Sequence, residues 1–134
     1  MSNESRFDFS ESINVFFQES KEMLENMESC LLQLENDMAD EESIHSLFRS
    51  IHTIKGSSGM FGFSKIEKFT HKVENILDSV RNGSIELTTE LIGLMLECHD
   101  YILDITEVFE RDNKAELNDD LKQRQEDLLN RLHD

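Results

Sequence analysis

The stretch Ile51-His-Thr-Ile-Lys-Gly-Ser-Ser-Gly-Met-Phe-Gly-Phe63 sets an imidazole, an ammonium and glycines into a segment whose apolar residues keep helical spacing. A neutral imidazole has a lone pair on only one ring nitrogen. A carboxylate that accepts the other nitrogen's proton fixes the tautomer and stabilises positive charge on the ring. So supported, His52 could attack an electrophile, and Lys55 would offset negative charge gathering on an incoming phosphoryl group. Glycine inside a helix costs about 1 kcal/mol relative to alanine. Gly56 and Gly59 would repay that cost by clearing space for a large partner to bring its phosphate close.

The support for His52 must come from another element. At 100° per residue, the core stripe of the helix carrying Ile44, Leu47, Ile51 and Ile54 leaves His52 on a flank, near Gly59, His45 and Gly56, with Lys55 between flank and core. On the next helix Glu67, His71, Glu74 and Asp78 form one polar flank. A turn centred near Gly62 puts His52 level with Lys72, between His71 and Glu74. The spacing therefore predicts a surface cluster of His52, Lys55, His71 and Glu74, provided the two flanks meet on the same side of the hairpin. Taken singly these residues carry little: surface histidines are commonly just solvated, surface lysines are everywhere, and the glycines could simply loosen a helix end. Their conjunction is the signal.

The elements that must position them are helical. Ile13, Phe16, Phe17, Leu24, Met27, Leu31, Leu34 and Met38 predict a long helix over about 10–37, and the acidic NDMADEES is a break before a helix over about 41–59. Ser64-Lys-Ile-Glu67 has capping-box spacing and starts a helix over about 64–82, closed by Asn82-Gly83 as a left-handed cap. Leu91 through Phe109 mark a helix over about 89–111. Leu117, Leu121, Leu128 and Leu132, with Asn118 as N-cap, mark a fifth over about 119–133. Apolar-striped helices joined by short turns bury their stripes by packing antiparallel, so the expected fold is an all-α, up-down four-helix bundle with an additional C-terminal helix, one domain over residues 1–134.

Composition agrees and excludes several classes. Proline and tryptophan are absent, and 29 acidic against 13 basic residues give a formal charge of −16, which repels phosphate backbones and anionic lipid. Neither nucleic acid nor a membrane is an expected partner. Cys30 and Cys98 sit at apolar positions without metal-type spacing, as reduced core residues would. The longest apolar run, Leu91–Leu96, is far too short to span a bilayer, the N-terminus lacks a signal-peptide pattern, and the chain is expected to be cytoplasmic.

The run from His52 to Phe63 resembles the H-x-x-K-G-x-x-G-x-F-G-F signature of histidine phosphotransfer (HPt) domains. With Phe69-Thr-His71-Lys-Val-Glu74-Asn-Ile-Leu-Asp-Ser-Val-Arg81 it is most similar to the N-terminal phosphotransfer domain of CheA-type chemotaxis histidine kinases. The similarity covers roughly residues 8–110 and is strongest over 44–83. It implies the helical bundle reached above, with a fifth helix in the CheA group. It further implies that His52 is the phosphoacceptor at Nε2, that Glu74 hydrogen-bonds its Nδ1, that His71 and Lys55 complete the polar network, and that Gly56 is the small residue beside the histidine. Phosphate would come from ATP through a kinase catalytic domain, with Mg²⁺ held by partner domains, and pass to an aspartate of a response regulator receiver domain.

No ATP lid or glycine-rich nucleotide loop is visible, so the chain is expected to carry phosphate without binding cofactor or metal itself. It would serve as part of a histidine kinase or as a free-standing relay protein, with the CheA-like third helix favouring the former, and as a monomer in isolation. Docking is expected along His45, Arg49, Gly56, Gly59 and Met60, which share the His52 side of their helix. A di-metal bundle would need Glu-x-x-His on two helices, and only Glu42-Ser-Ile-His45 supplies one. A nucleophilic enzyme would need an activated Ser or Cys that is not apparent. A scaffolding bundle would show the same packing pattern and is the main rival.

Overall fold

The computed structural model describes residues 3–132, with side chains from residue 9 onward. It consists of five helices: α1 (Asn3–Asn36), α2 (Glu41–Met60), α3 (Ser64–Arg81), α4 (Thr89–Arg111) and α5 (Asp119–Leu132). α1 packs on α2 and α4, and α3 packs on the same two, which closes a four-helix ring; α5 lies against α3 and α4. The interior is filled by one stripe from each member of the ring, including Leu24, Met27 and Leu31 of α1, Leu47 and Ile51 of α2, Ile66 and Val73 of α3, and Ile102 and Ile105 of α4. Burying such side chains contributes about 1.5–3 kcal/mol each and drives the association of helices that would be marginal alone. No described helix is long and apolar enough to cross a membrane.

The helix ends have identifiable causes. Asp40 accepts the Ser43 N–H at 3.2 Å to start α2, Thr88 accepts the Leu91 N–H at 3.1 Å to start α4, and Asn118 accepts the Leu121 N–H at 2.9 Å to start α5, as its sequence position suggested. The α2–α3 turn is a Schellman motif: Gly62 takes φ +80°, its N–H donates to the Gly59 carbonyl, and the Phe63 N–H donates to the Ser58 carbonyl. Gly83 closes α3 in the same left-handed conformation, at φ +84°. Phe63 plugs into an aromatic cluster, stacked on Phe16 with ring centroids 5.3 Å apart and close to Phe17 and Phe109. The hairpin that carries the candidate site is thereby pinned to α1 and α4.

Three boundary expectations change. α1 begins at Asn3, not near Ser10, because no glycine or proline interrupts the segment ahead of the apolar stripe. Met38, expected on the stripe of α1, lies in the α1–α2 turn and is 36 % exposed. The capping box at Ser64 and Glu67 does not form. The Schellman turn leaves only Phe61, Gly62 and Phe63 between α2 and α3, so Ser64 is already helical and Phe63 caps α3 without a side-chain bond. The last residue of the expected fifth helix, 133, lies outside the described residues. α5 docks through buried Leu121, Leu128 and Leu132, with Arg131 paired to Glu97 at 2.6 Å. Both cysteines are free and buried, and burial pushes the Cys98 thiol up to about 12.

Candidate functional site

The α2–α3 hairpin brings the two polar flanks together on one side. Glu74 is buried on α3, beside the core residues Val73 and Leu77, and its carboxylate reaches across to α2. There Oε2 pairs with His52 Nδ1, and Oε1 accepts from Lys55 Nζ at 2.7 Å. Burial alone would raise the Glu74 pKa. The hydrogen bonds from Lys55 and His52, together with their charges, outweigh it and hold the carboxyl below its usual value. A buried carboxylate without partners would be costly, so this one requires both donors.

The arrangement dictates the tautomer. An ionised carboxylate only accepts, so His52 Nδ1 must carry the proton, and in the neutral ring the lone pair falls on Nε2. Nε2 has no hydrogen-bond partner among the described residues, and 62 % of the His52 side-chain surface is open. The result is an oriented nucleophile on an exposed helical face. A groove of about 700 Å³ between α1 and α2, bordered by Val15, Met23 and Ser57, includes none of His52, Lys55 and Glu74. Chemistry at His52 would take place on an open surface, accessible to a macromolecule.

The other expected residues divide. His71 is exposed one turn before Glu74 and makes no hydrogen bond among the described residues, so the structure joins Lys55 to the network and leaves His71 outside it. Helical rotation explains this: Glu74 sits nearer the core edge of α3, whereas His71 points further round its outer face. Gly56 is exposed, and a Cβ there would meet nothing within 4 Å, so its small size keeps the surface one turn from His52 open. Gly59 has a different role. A Cβ there would come within 2.6 Å of the Glu67 carboxylate, so this glycine admits α3, and Glu67 folds over it instead of capping its own helix. His45, Arg49 and Met60 are all exposed along α2, Met60 at 80 %.

Two side chains at the site were not picked out from the sequence. Phe48, assigned to the apolar stripe of its helix, is half-buried and stacked on the His52 ring, with centroids 5.9 Å apart and planes 11° from parallel. Arg81, at the end of α3, sits with its guanidinium carbon 3.9 Å from the centre of the Phe48 ring. The four-residue spacing of Phe48 and His52 was the available signal, since such residues are neighbours on a helix surface.

Comparison with known proteins agrees with this geometry. The Hpt domain model matches residues 11–134. The chemotaxis protein CheA of Salmonella typhimurium is 42 % identical over 93 residues, which cover 69 % of this chain and 14 % of the relative. The chain thus spans about one seventh of the length of that relative. The CheA phosphotransferase domain from Thermotoga maritima is 39 % identical with a TM-score of 0.69, covering 74 % of this chain and 94 % of that one. The phosphorylated P1 domain of CheA3 from R. sphaeroides, solved in complex with CheY6, shares the fold at a TM-score of 0.81 and 22 % identity, over 92 % of this chain and 96 % of that one. The chain belongs to the Hpt domain family, and its relatives include CheA phosphotransfer domains.

Proposed function

We propose that this domain carries a phosphoryl group on Nε2 of His52, receiving it from ATP through a kinase catalytic domain and delivering it to an aspartate of a response regulator in a chemotaxis-type two-component system. The observation that carries the reading is the pairing of His52 Nδ1 with the buried Glu74 carboxylate, which leaves Nε2 as the free nucleophile on an exposed surface. In the forward step Nε2 attacks the γ-phosphorus of ATP as the bond to the bridging oxygen breaks, and ADP leaves with the electron pair. Nδ1 keeps its proton toward Glu74, which stabilises the positive charge developing on the ring. Lys55, anchored on the other carboxylate oxygen, supplies a cation beside the incoming phosphate.

ATP and Mg²⁺ are assigned to the kinase domain, and the receiving aspartate to the regulator. The exposed line of His45, Arg49, Gly56 and Met60 is the docking surface for those partners, supported by its continuity with His52 along α2. The phosphorylated CheA3 domain in complex with CheY6 supports phosphate carriage and partner engagement by a bundle of this fold. The test is radiolabelled transfer. With a CheA-type catalytic domain and ATP–Mg²⁺, the chain should take up one acid-labile, base-stable phosphate and lose it to a receiver domain. Full labelling of His52→Gln would overturn the assignment of His52. Absence of labelling under every condition would favour a scaffolding bundle.

A further inference from the structure

We infer that Phe48 is a positioning residue for His52, setting the plane of its imidazole, and that Arg81 secures Phe48 in that position; the inference rests on the phosphoacceptor reading of His52. A hydrogen bond at Nδ1 fixes one edge of the ring, but such bonds tolerate tens of degrees of misalignment, so Glu74 alone leaves the ring able to tilt. The tilt moves Nε2, the atom on the far side of the ring from Glu74. A flat surface against the ring face removes this freedom. Phe48 provides one, a single helical turn before His52 and nearly parallel to it, with centroids 5.9 Å apart.

Phe48 is half-buried at the bundle surface and would itself have room to move. Arg81 closes that freedom from the other helix, with its guanidinium 3.9 Å from the ring centre and Asp78 holding it by a 2.9 Å bond from Arg81 Nη2. α3 therefore grips the imidazole twice, at the edge through Glu74 and at the face through Arg81 and Phe48, two helical turns apart. The contact also favours the reaction electronically. When Nε2 bonds to phosphorus while Nδ1 keeps its proton, the ring becomes cationic, and the negative face of an aromatic ring stabilises such a charge.

The test separates positioning from partner docking by using a small phosphodonor, phosphoramidate, on the whole chain. Phe48→Leu keeps apolar bulk and removes the flat ring, Phe48→Tyr keeps the ring, and Arg81→Gln removes the clamp. In the unphosphorylated protein, the His52 ring protons should show a ring-current shift that Phe48→Leu abolishes, Phe48→Tyr preserves and Arg81→Gln diminishes. Phosphorylation of His52 by phosphoramidate should slow about three- to tenfold in Phe48→Leu, less in Arg81→Gln, and return to near the wild-type rate in Phe48→Tyr. Wild-type rates in both Phe48→Leu and Arg81→Gln would overturn the inference, as would Phe48→Tyr reacting as slowly as Phe48→Leu. If Phe48→Leu fails to fold, Arg81→Gln decides, because Arg81 lies at an exposed helix end. A wild-type protein that shows the ring-current shift but takes no phosphate at His52 would refute the phosphoacceptor reading and leave the stacking geometry standing.

Discussion

Among the described residues, two histidine–carboxylate pairs are mirror images in burial. In one, His52 is 62 % exposed and its partner Glu74 is 9 % exposed; in the other, His99 is 6 % exposed and its partner Asp100 is 68 % exposed. Both use Nδ1 of the ring. The first anchors the carboxylate in the protein and offers the imidazole to solvent, so the ring is oriented and still reachable. The second buries the imidazole and leaves the carboxylate outside, so the ring is closed to solvent. Which partner is buried, more than the presence of the pair, separates a nucleophile from a structural side chain.

Removing the imidazole from each pair in turn gives the largest contrast. His52→Gln should abolish phosphate uptake from the kinase, whereas His99→Gln should retain a single labelled phosphate at His52; loss of labelling in a folded His99→Gln protein would break the distinction. Next, Glu74→Ala should lower the phosphorylation rate by about tenfold to a hundredfold while the bundle still folds, since it removes the group that holds the tautomer and stabilises the ring charge. An unchanged rate with ATP and kinase domain would remove Glu74 from the mechanism. His99→Ala should instead act on stability, costing about 2 kcal/mol through the cavity left on α4, as read from denaturant midpoints.

The carboxylate also sharpens the comparison through pH. Because the Glu74 pKa is lowered on folding from 4.5, its ionised form adds stability at pH values above that reference, and the contribution disappears as pH falls through the lower folded-state value. Acid unfolding of the Glu74→Gln protein should lack this component, so the stability gap between it and the wild type should narrow below about pH 4.5. The smallest effect is expected at Asp100. As a mostly exposed partner it should tolerate Asp100→Asn within about 0.5 kcal/mol and with labelling intact, and a larger loss would mean that the His99 pair is more than a surface hydrogen bond.

Much of this was legible in one dimension. The stripes of Leu47, Ile51 and Ile54 and of Ile66, Phe69 and Val73 predict two helices with defined inner faces, and the structure buries all six residues. Asn118 and Gly83 act as the caps their types and positions suggest. Ser64 does not, because capping-box spacing says nothing of a preceding Schellman turn that has already committed the chain to helix at that residue. Glu67 and Gly59 illustrate the same limit: an expected cap and an expected partner surface turn out to touch each other across the hairpin.

Composition and the period of the apolar residues determined that this chain is a bundle of helices, and the spacing of His52, Lys55 and the glycines determined that one flank of α2 is unlike the others. Only the tertiary structure decided that Glu74 joins His52 and Lys55 while His71 stays outside, and that Phe48 and Arg81 border the site. The physical reason is rotational. Periodicity orients each helix relative to its own buried face, but contacts between flanks depend on how two helices are turned about their axes as they pack. That is settled by the core they share and by the Phe63 anchor that pins their turn.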